Sequence, residues 1–528
     1  MAHPRNSAAV LGVLAMAASG CAGCTSTAGR QPVDGRTFTL AIGSDPASLD
    51  PHLTVLSVTS QVDRFLYDSL LDLTADGKPV AGLAGKWTAT TTTASFTLRA
   101  GISCADDTPL TAADVAANID FVGDPASKSP VTGQTVAPGT SATADEATRT
   151  ITVTSGKPDA FLLRDIGTLP IVCGKALRDR KLATKGEGGT GMFTITEAVP
   201  GDHYTLTRRT DYAWGPGTGQ ATRPGLPDRV VVRVVPDTRT AAGLLLSGEL
   251  NAATITGPER QLPDAKGLAH ADFVAPLGEL FYNQADGRPG HDESVRRGLT
   301  QALDLARLGS VLTDGTGTPS TGMVTAAMTP CPGDTVTGNL PVHDPAAAAS
   351  ALDTAGWKPG PDGVRVKKGR RLELTVLYGT QLGPTMTATA ELARQAWQSL
   401  GAAVTVRGLD GPALSQELFG TGGWDVLLGP IGFASPNQMV PFVSGPAVPA
   451  GTNFAHIENA GYDERARQAA TMVNDTGCPL WTAAETALIA RVDAVPYIDS
   501  VVPTYAHGAG FEISQTSIKP SSIRMYAE

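Results

Sequence analysis

Residues Ser95–Phe121 read SFTLRAGISCADDTPLTAADVAANIDF, and the fold is decided here. Phe96 and Leu98 alternate with Thr97 and Arg99, the period-two pattern of a half-buried strand. Asp106, Asp107, Thr108 and Pro109 supply turn chemistry: short acids that bond their own backbone, then a residue of fixed φ. Thr111 and Asp114 form a T-x-x-D capping box, after which Val115, Ile119 and Val122 recur at i, i+4 and i+7. The stretch predicts a strand, a tight turn and a capped helix in succession.

Outward from it, the chain is 528 residues long, enough for about three domains on a prior of roughly 150 residues each. It is 41% hydrophobic and 17% charged, an ordinary globular composition. The formal net charge is −10, and no Lys/Arg-rich run appears, so the electrostatic footprint of a nucleic-acid binder is missing. Acidity of this size serves solubility. At the N-terminus Arg5 precedes an apolar run, Ala8 to Ala18, too short to remain as a bilayer-spanning anchor. The run ends in Ala18-Ser19-Gly20-Cys21, small residues before a cysteine. Ala22 to Arg36 is rich in Gly, Ser, Thr and Pro without apolar periodicity, and reads as a flexible tether.

The opening stretch resembles the signature of the peptide/nickel class (family 5) of solute-binding proteins of ABC importers. Phe96, Leu98, Arg99, Gly101, Ile102, Asp106, Thr108, Pro109, Leu110, Thr111, Ala112, Asp114 and Val115 carry the match. Asp107 stands where the family usually has glycine, and aspartate tolerates the left-handed region better than most residues. Further segments resemble family blocks in order: Ser48-Leu49-Asp50-Pro51, Phe65 to Leu71 as a helix, Pro79 to Trp87, Gly188 to Phe193, Ser247 to Asn251, and Pro496 to His507 as a terminal strand. The resemblance covers Thr37 to the end.

It implies an α/β, periplasmic-binding-protein-like fold of two lobes with an additional domain in the first half. The implied division is a signal peptide over 1–20, a lipidated tether over 21–36, the first lobe from 37–65, 186–276 and 488–528, the additional domain over 66–185, and the second lobe over 277–487. Ala18 to Cys21 resembles a bacterial lipobox, which makes Cys21 the lipid attachment site on the outer face of the cytoplasmic membrane; a plain secretory signal cleaved near Ala18 is the alternative. Two acyl chains give the stable anchoring that one does not. Four cysteines beyond Cys21 and Cys24 allow three disulfide connectivities in an exported chain. The resemblance favours Cys104–Cys173 and Cys331–Cys478.

Three strand-and-helix readings follow in the second half. Leu372 to Tyr378, Pro384 to Leu400 and Ala403 to Val406 read as β-α-β, the mark of an α/β layer. Trp424 to Leu428 reads as a short strand, followed by an irregular segment carrying Pro430, Pro436, Pro441 and Pro446.

Enzyme motifs are missing: there is no G-x-S-x-G elbow, no H-E-x-x-H and no Walker loop, and the eight histidines are scattered singly. The glycine cluster at 188–191 lacks the Lys-Ser/Thr that a phosphate loop requires, so Gly189 and Gly191 read as hinge or pocket lining. No catalytic residue, metal or cofactor is expected. The remaining candidate ligand contacts are Asn283, Trp424, Phe433, Ser435 and Asn437. Peptide binders of this family tend to place an aspartate just after the Trp424–Leu428 strand. Here Val426 to Ile457 holds no Asp, Glu, Lys or Arg, and His456 is its one titratable side chain. Such a wall cannot neutralise an ammonium, and burying an unpaired charge is costly. Either the ligand is neutral at this wall or an acid from elsewhere in the chain meets it. The expected function is capture of a peptide or small polar solute by a monomer that delivers it to the permease and ATPase subunits of an importer. The alternative is an envelope sensor or chaperone lipoprotein on the same fold.

Overall fold

The computed structural model describes residues 31–527 apart from 75–76, 134, 216–222 and 325–329. The signal sequence, Cys21 and Cys24 lie outside the described residues. The opening stretch folds as its chemistry dictates. Thr93–Leu98 is a strand, and Ala112–Gly123 is a helix capped by Thr111. The capping box is complete: Asp114 N–H donates to Thr111 Oγ1 at 3.0 Å, and Thr111 N–H donates to Asp114 Oδ2 at 3.2 Å. Asp107 takes φ 63°, the left-handed turn position that glycine would fill.

That strand belongs to an antiparallel four-stranded sheet ordered Ala84–Ala89, Thr93–Leu98, Thr150–Thr154 and Ser141–Asp145. The helix lays Val115, Ile119 and Val122 on Phe96, Ile151 and Val153, and all six are fully buried. This is one compact unit with its own core.

The rest of the chain is organised by a ten-stranded sheet. From one edge its order is Ala403–Leu409, Glu373–Gly379, Val426–Leu428, Ala269–Tyr282, Ala494–Ala506, Ala252–Thr254, Thr37–Ile42, Arg229–Val234, His203–Arg208 and Phe193–Val199. The first three strands are parallel to one another, as the β-α-β reading requires. Thr37–Ile42 runs parallel to Arg229–Val234, and a hairpin extends that edge antiparallel.

Two long antiparallel strands join these halves. Ala269–Tyr282 pairs along nearly its whole length with Ala494–Ala506. At one end, Thr504 to Ala506 pair with Thr254 to Ala252 in the first half. At the other, Leu280 to Tyr282 pair with Leu428 to Val426 in the second. The register shifts at Pro276, Gly278 and Glu279, between the two ends. A bulge bends a strand locally, so the sheet divides there into two lobes sharing two strands.

Three sequence readings need correction. Phe65 to Leu71 is not a helix: Ser57–Leu66 is, and the chain is extended from Tyr67. Gly191 N–H takes the Leu66 carbonyl at 2.9 Å, which removes an acceptor the helix would need to continue. The proline-rich segment is not wholly irregular, since Pro436–Val443 is a helix. Pro436 sits at its start, where a missing N–H costs nothing, and only Pro441 removes an internal bond. Finally, the tether is shorter than read: Pro32 bridges to Tyr526, and Val33 N–H donates to Met525 O at 2.9 Å.

Candidate functional site

A cavity of about 310 Å3 opens where the two lobes and the four-stranded unit meet. Six separate stretches of sequence line it, two of them represented by Leu73, Thr74 and Gly77 and by Thr135. Arg164, Asp165 and Thr168 come from the four-stranded unit; Asp272 to Val274 from the shared strand Ala269–Tyr282; Ala434 and Gln438 from the second lobe; and Ile513 to Thr516 from the C-terminal segment. A cleft at a lobe junction with mixed apolar and polar walls is where small solutes are held.

The walls are built firmly. Ile513–Ser514 pairs with Ser517–Ile518, and the two linking residues sit in the left-handed region, Gln515 at φ 51° and Thr516 at φ 63°. A β-branched residue there is strained, by on the order of 1–3 kcal/mol. The surroundings hold it: Ser514 Oγ donates to Leu73 O at 2.8 Å, and Gln515 Nε2 donates to Asp72 Oδ1 at 3.1 Å. Asp72 in turn is paired with Arg64 at 2.8 Å and lies 3.7 Å from Lys519. On the opposite wall Gln438 accepts at Oε1 from Ala434 N–H at 2.9 Å.

Two acids face this cavity, both from outside the 426–457 segment. Asp272 is 2.6 Å from His270. Asp165 is buried and accepts from Asn437 Nδ2 at 3.0 Å, the same nitrogen that donates to Asp159 Oδ1. Burial, and then the adjacent Asp159 charge, push Asp165 well above the usual carboxylate range. Asp159 is raised as well, mainly by burial. Asp165 is thus buried against Asn437, whereas Asp272 is about a third exposed and hydrogen-bonded to His270.

Among the residues expected at the site, Phe433 and Ser435 flank the lining residue Ala434, and Asn437 bridges from the second lobe to Asp159 and to Asp165 on the cavity wall. Ser435 supports it, donating from Oγ to Asn437 Oδ1. Phe433 is buried with its ring 5.3 Å from Phe442. Trp424 is wholly buried in the second lobe's core against Phe454, and its carbonyl accepts from Asn283 Nδ2 at 3.0 Å. Asn283 and Trp424 thus join strand ends rather than line the cavity. Gly189 and Gly191 serve close packing: a Cβ on Gly189 would lie 1.8 Å from Leu66 O, and one on Gly191 2.5 Å from Leu66 C. Both disulfides, Cys104–Cys173 and Cys331–Cys478, are formed. The acids at 165 and 272 and the Gln515–Thr516 turn were missed, since nothing local marks them. Among the described residues, no group of three His, Cys, Asp or Glu is arranged to hold a metal ion, and no helix is long and apolar enough to cross a membrane.

Comparison with known proteins places this architecture. Protein XP55 of Streptomyces lividans is 28% identical over 393 residues, 68% of this chain and 65% of XP55, so the chain spans just under two thirds of that relative's length. A substrate-binding protein from Microbacterium hydrocarbonoxydans, in complex with 4-hydroxybenzoate hydrazide, superposes with a TM-score of 0.72 at 24% identity over 93% of this chain and 99% of the other. The oligopeptide-binding protein AppA of Bacillus subtilis, holding a nonapeptide, superposes with a TM-score of 0.74 at 17% identity over 94% and 100% of the two chains. These two structures share the two-lobed fold. The family model of the bacterial extracellular solute-binding proteins, family 5, matches residues 78–446, which is most of the chain, and the protein belongs to that family.

Proposed function

We propose that this protein captures a small polar solute or peptide in the cavity between its lobes and presents it to the permease and ATPase subunits of an ABC importer. On this reading it works outside the cytoplasmic membrane as a monomer tethered by lipid on Cys21. The division into 37–65, 66–185, 186–276, 277–487 and 488–528 is proposed with it. The carrying observation is the cavity itself, walled by the four-stranded unit, the shared strand, the C-terminal segment and the second lobe. Hinge closure of paired domains around a ligand is an established mode of capture.

We further propose that the ligand is neutral where it meets the 434–438 wall. That wall offers Ala434 and Gln438 without a charge; of the acids on the other walls, Asp165 is buried against Asn437 and Asp272 is hydrogen-bonded to His270. A free α-ammonium there would lack the charge-assisted contact that peptide recognition uses. The two similar structures hold 4-hydroxybenzoate hydrazide and a nonapeptide, so both a small aromatic and a peptide belong in the test.

Calorimetry with short peptides in free and N-acetylated forms, and with small uncharged aromatics, tests both points. Binding of acetylated or uncharged members supports the reading. Tight binding of free peptides that is lost on acetylation refutes the neutral wall, and no binding across the panel together with no co-purifying solute by native mass spectrometry refutes the capture role.

A further inference from the structure

The four-stranded unit is not merely adjacent to the second lobe; one of its loops is gripped by it. Ala160 O accepts from Asn474 N–H at 2.7 Å. The Phe161 ring lies 6.2 Å from Trp481, and Ala160 and Phe161 are buried in the second lobe's core beside Trp424, Tyr462 and Leu488. At the rim of this contact stand Asp159 and Asp165, both under 10% exposed. Asn437 spends both amide hydrogens on them, at 2.8 Å to Asp159 Oδ1 and 3.0 Å to Asp165 Oδ2. Phe161 N–H also donates to Asp159 Oδ1, at 2.9 Å.

The two buried carboxyl groups meet at one amide nitrogen, Asn437 Nδ2, which sets them side by side. Two like charges this close in a buried site oppose each other, which favours one proton on the pair. Asp159 takes two N–H donors, which favour its ionised form; Asp165 takes one, and it is also on the cavity wall. We propose that the Asp159–Asp165 pair is a proton-linked latch between the four-stranded unit and the second lobe, so that closure over the cavity takes up one proton. The importance of the latch for capture rests on reading the cavity as the solute site.

Few charges compete with this one. Lys157 acts on Asp159 and Arg164 on Asp165, both from the same unit. Asp272, paired with His270, is on the facing cavity wall. From the second lobe the 426–457 segment brings His456 as its one titratable group, and Asp475, beside Asn474, is exposed. With the lobes apart the pair faces water and both acids return toward their ordinary range. The closed form then binds more protons than the open one, so closure is favoured at low pH and weakens as pH rises from the ordinary aspartate range through the raised value of Asp165. One proton per closure means that the closing equilibrium falls by up to about tenfold per pH unit within that window.

Small-angle scattering of the solute-free protein between pH 5 and 9 tests this without reference to any ligand, so its outcome is independent of the calorimetry above. The wild type should expand as pH rises. Asp165→Asn, a neutral isostere of the protonated acid, should stay compact throughout once a thermal melt at pH 5 shows it folded. Asn437→Ala, at a half-buried position, should be expanded at every pH. A wild-type radius of gyration that is constant over the range, an Asp165→Asn profile that tracks the wild type, or an Asn437→Ala protein as compact as the wild type at pH 5 overturns the latch.

Discussion

Arg296 and Asp493 form an ion pair whose side chains are 1% and 0% exposed, with Nη2 and Oδ1 2.7 Å apart. The guanidinium also donates from Nε to Val492 O, from Nη1 to Gly290 O and from Nη2 to Arg491 O, at 2.9 to 3.1 Å. The pair therefore fixes the turn that delivers the chain into the shared strand Ala494–Ala506. Arg296→Met keeps much of the apolar volume but strips three buried carbonyls of a donor. It leaves Asp493 with only the Gln284 and Asn459 amides, at 3.2 and 2.7 Å. Breaking one side of a buried pair costs about 3–5 kcal/mol. Burial raises the affinity of Asp493 for a proton, and Arg296 is the largest influence opposing it. Without Arg296 the folded-state value rises further. A raised carboxyl contributes its stability below the unfolded-state value and loses it as pH rises through the folded-state value. The deficit of Arg296→Met should therefore be largest at pH 8 and shrink toward pH 5, by up to about 1.4 kcal/mol per unit while Asp493 takes up its proton. Adding Asp493→Asn removes the stranded charge, and the pair should show a coupling of about 1.5–3 kcal/mol in a double-mutant cycle. Urea unfolding followed by circular dichroism at the two pH values measures all four proteins, using the transition that reports the second lobe. A single variant within about 1 kcal/mol of wild type at pH 8, or a deficit that does not depend on pH, would falsify the argument.

Three further outcomes are expected. Thr111→Ala removes one half of the capping box and should lower the stability of the four-stranded unit by about 1 kcal/mol in the same unfolding assay. Asp68 is buried beneath Tyr212 and Thr190, and burial pushes it up to about 7; its contribution is present at low pH and lost as pH rises toward 7, so Asp68→Asn should flatten the fall in stability over that range by up to about 1.4 kcal/mol per unit. Cys21→Ser should move the protein from the membrane pellet to the soluble fraction, and a variant that stays in the pellet after a high-salt wash refutes lipid attachment there.

What the chain reveals in its own sequence and what it hides divide along a physical line. Features set within one turn or one strand are readable, because the residues that satisfy each other are neighbours. Thr111 with Asp114 is one such case. Asp237 is another, accepting from Thr240 N–H at 2.7 Å at one end of a helix that Gly248 closes at φ 82°. Pro345, at the first turn of the helix capped by Asp344, is a third. Leu66 marks the limit. Its helix stops because a glycine 125 positions later claims its carbonyl, and no local pattern carries that competition.

The cavity lies entirely on the hidden side. Its walls come from near 74, 135, 164, 272, 436 and 515, and the strand order places Ala269–Tyr282 between halves of the sheet that are remote in sequence. Trp424 shows how this misleads. An aromatic beside a strand that resembles a family's binding segment looks like a wall, yet that strand is central in the second half, so its flanking aromatic is carried inward against Phe454. The polar residues that reach the junction, Asn437 and Gln438, sit on a helix that proline content argued against. Asp165 is the sharpest instance. In sequence it is one acid among many, between an arginine and an isoleucine. Only the folded chain puts it against a second carboxyl, under an amide of the other lobe and on the cavity wall at once. A carboxyl with those three neighbours has its charge state tied to whether the lobes are together, and that dependence is a property of the assembled lobes rather than of any segment.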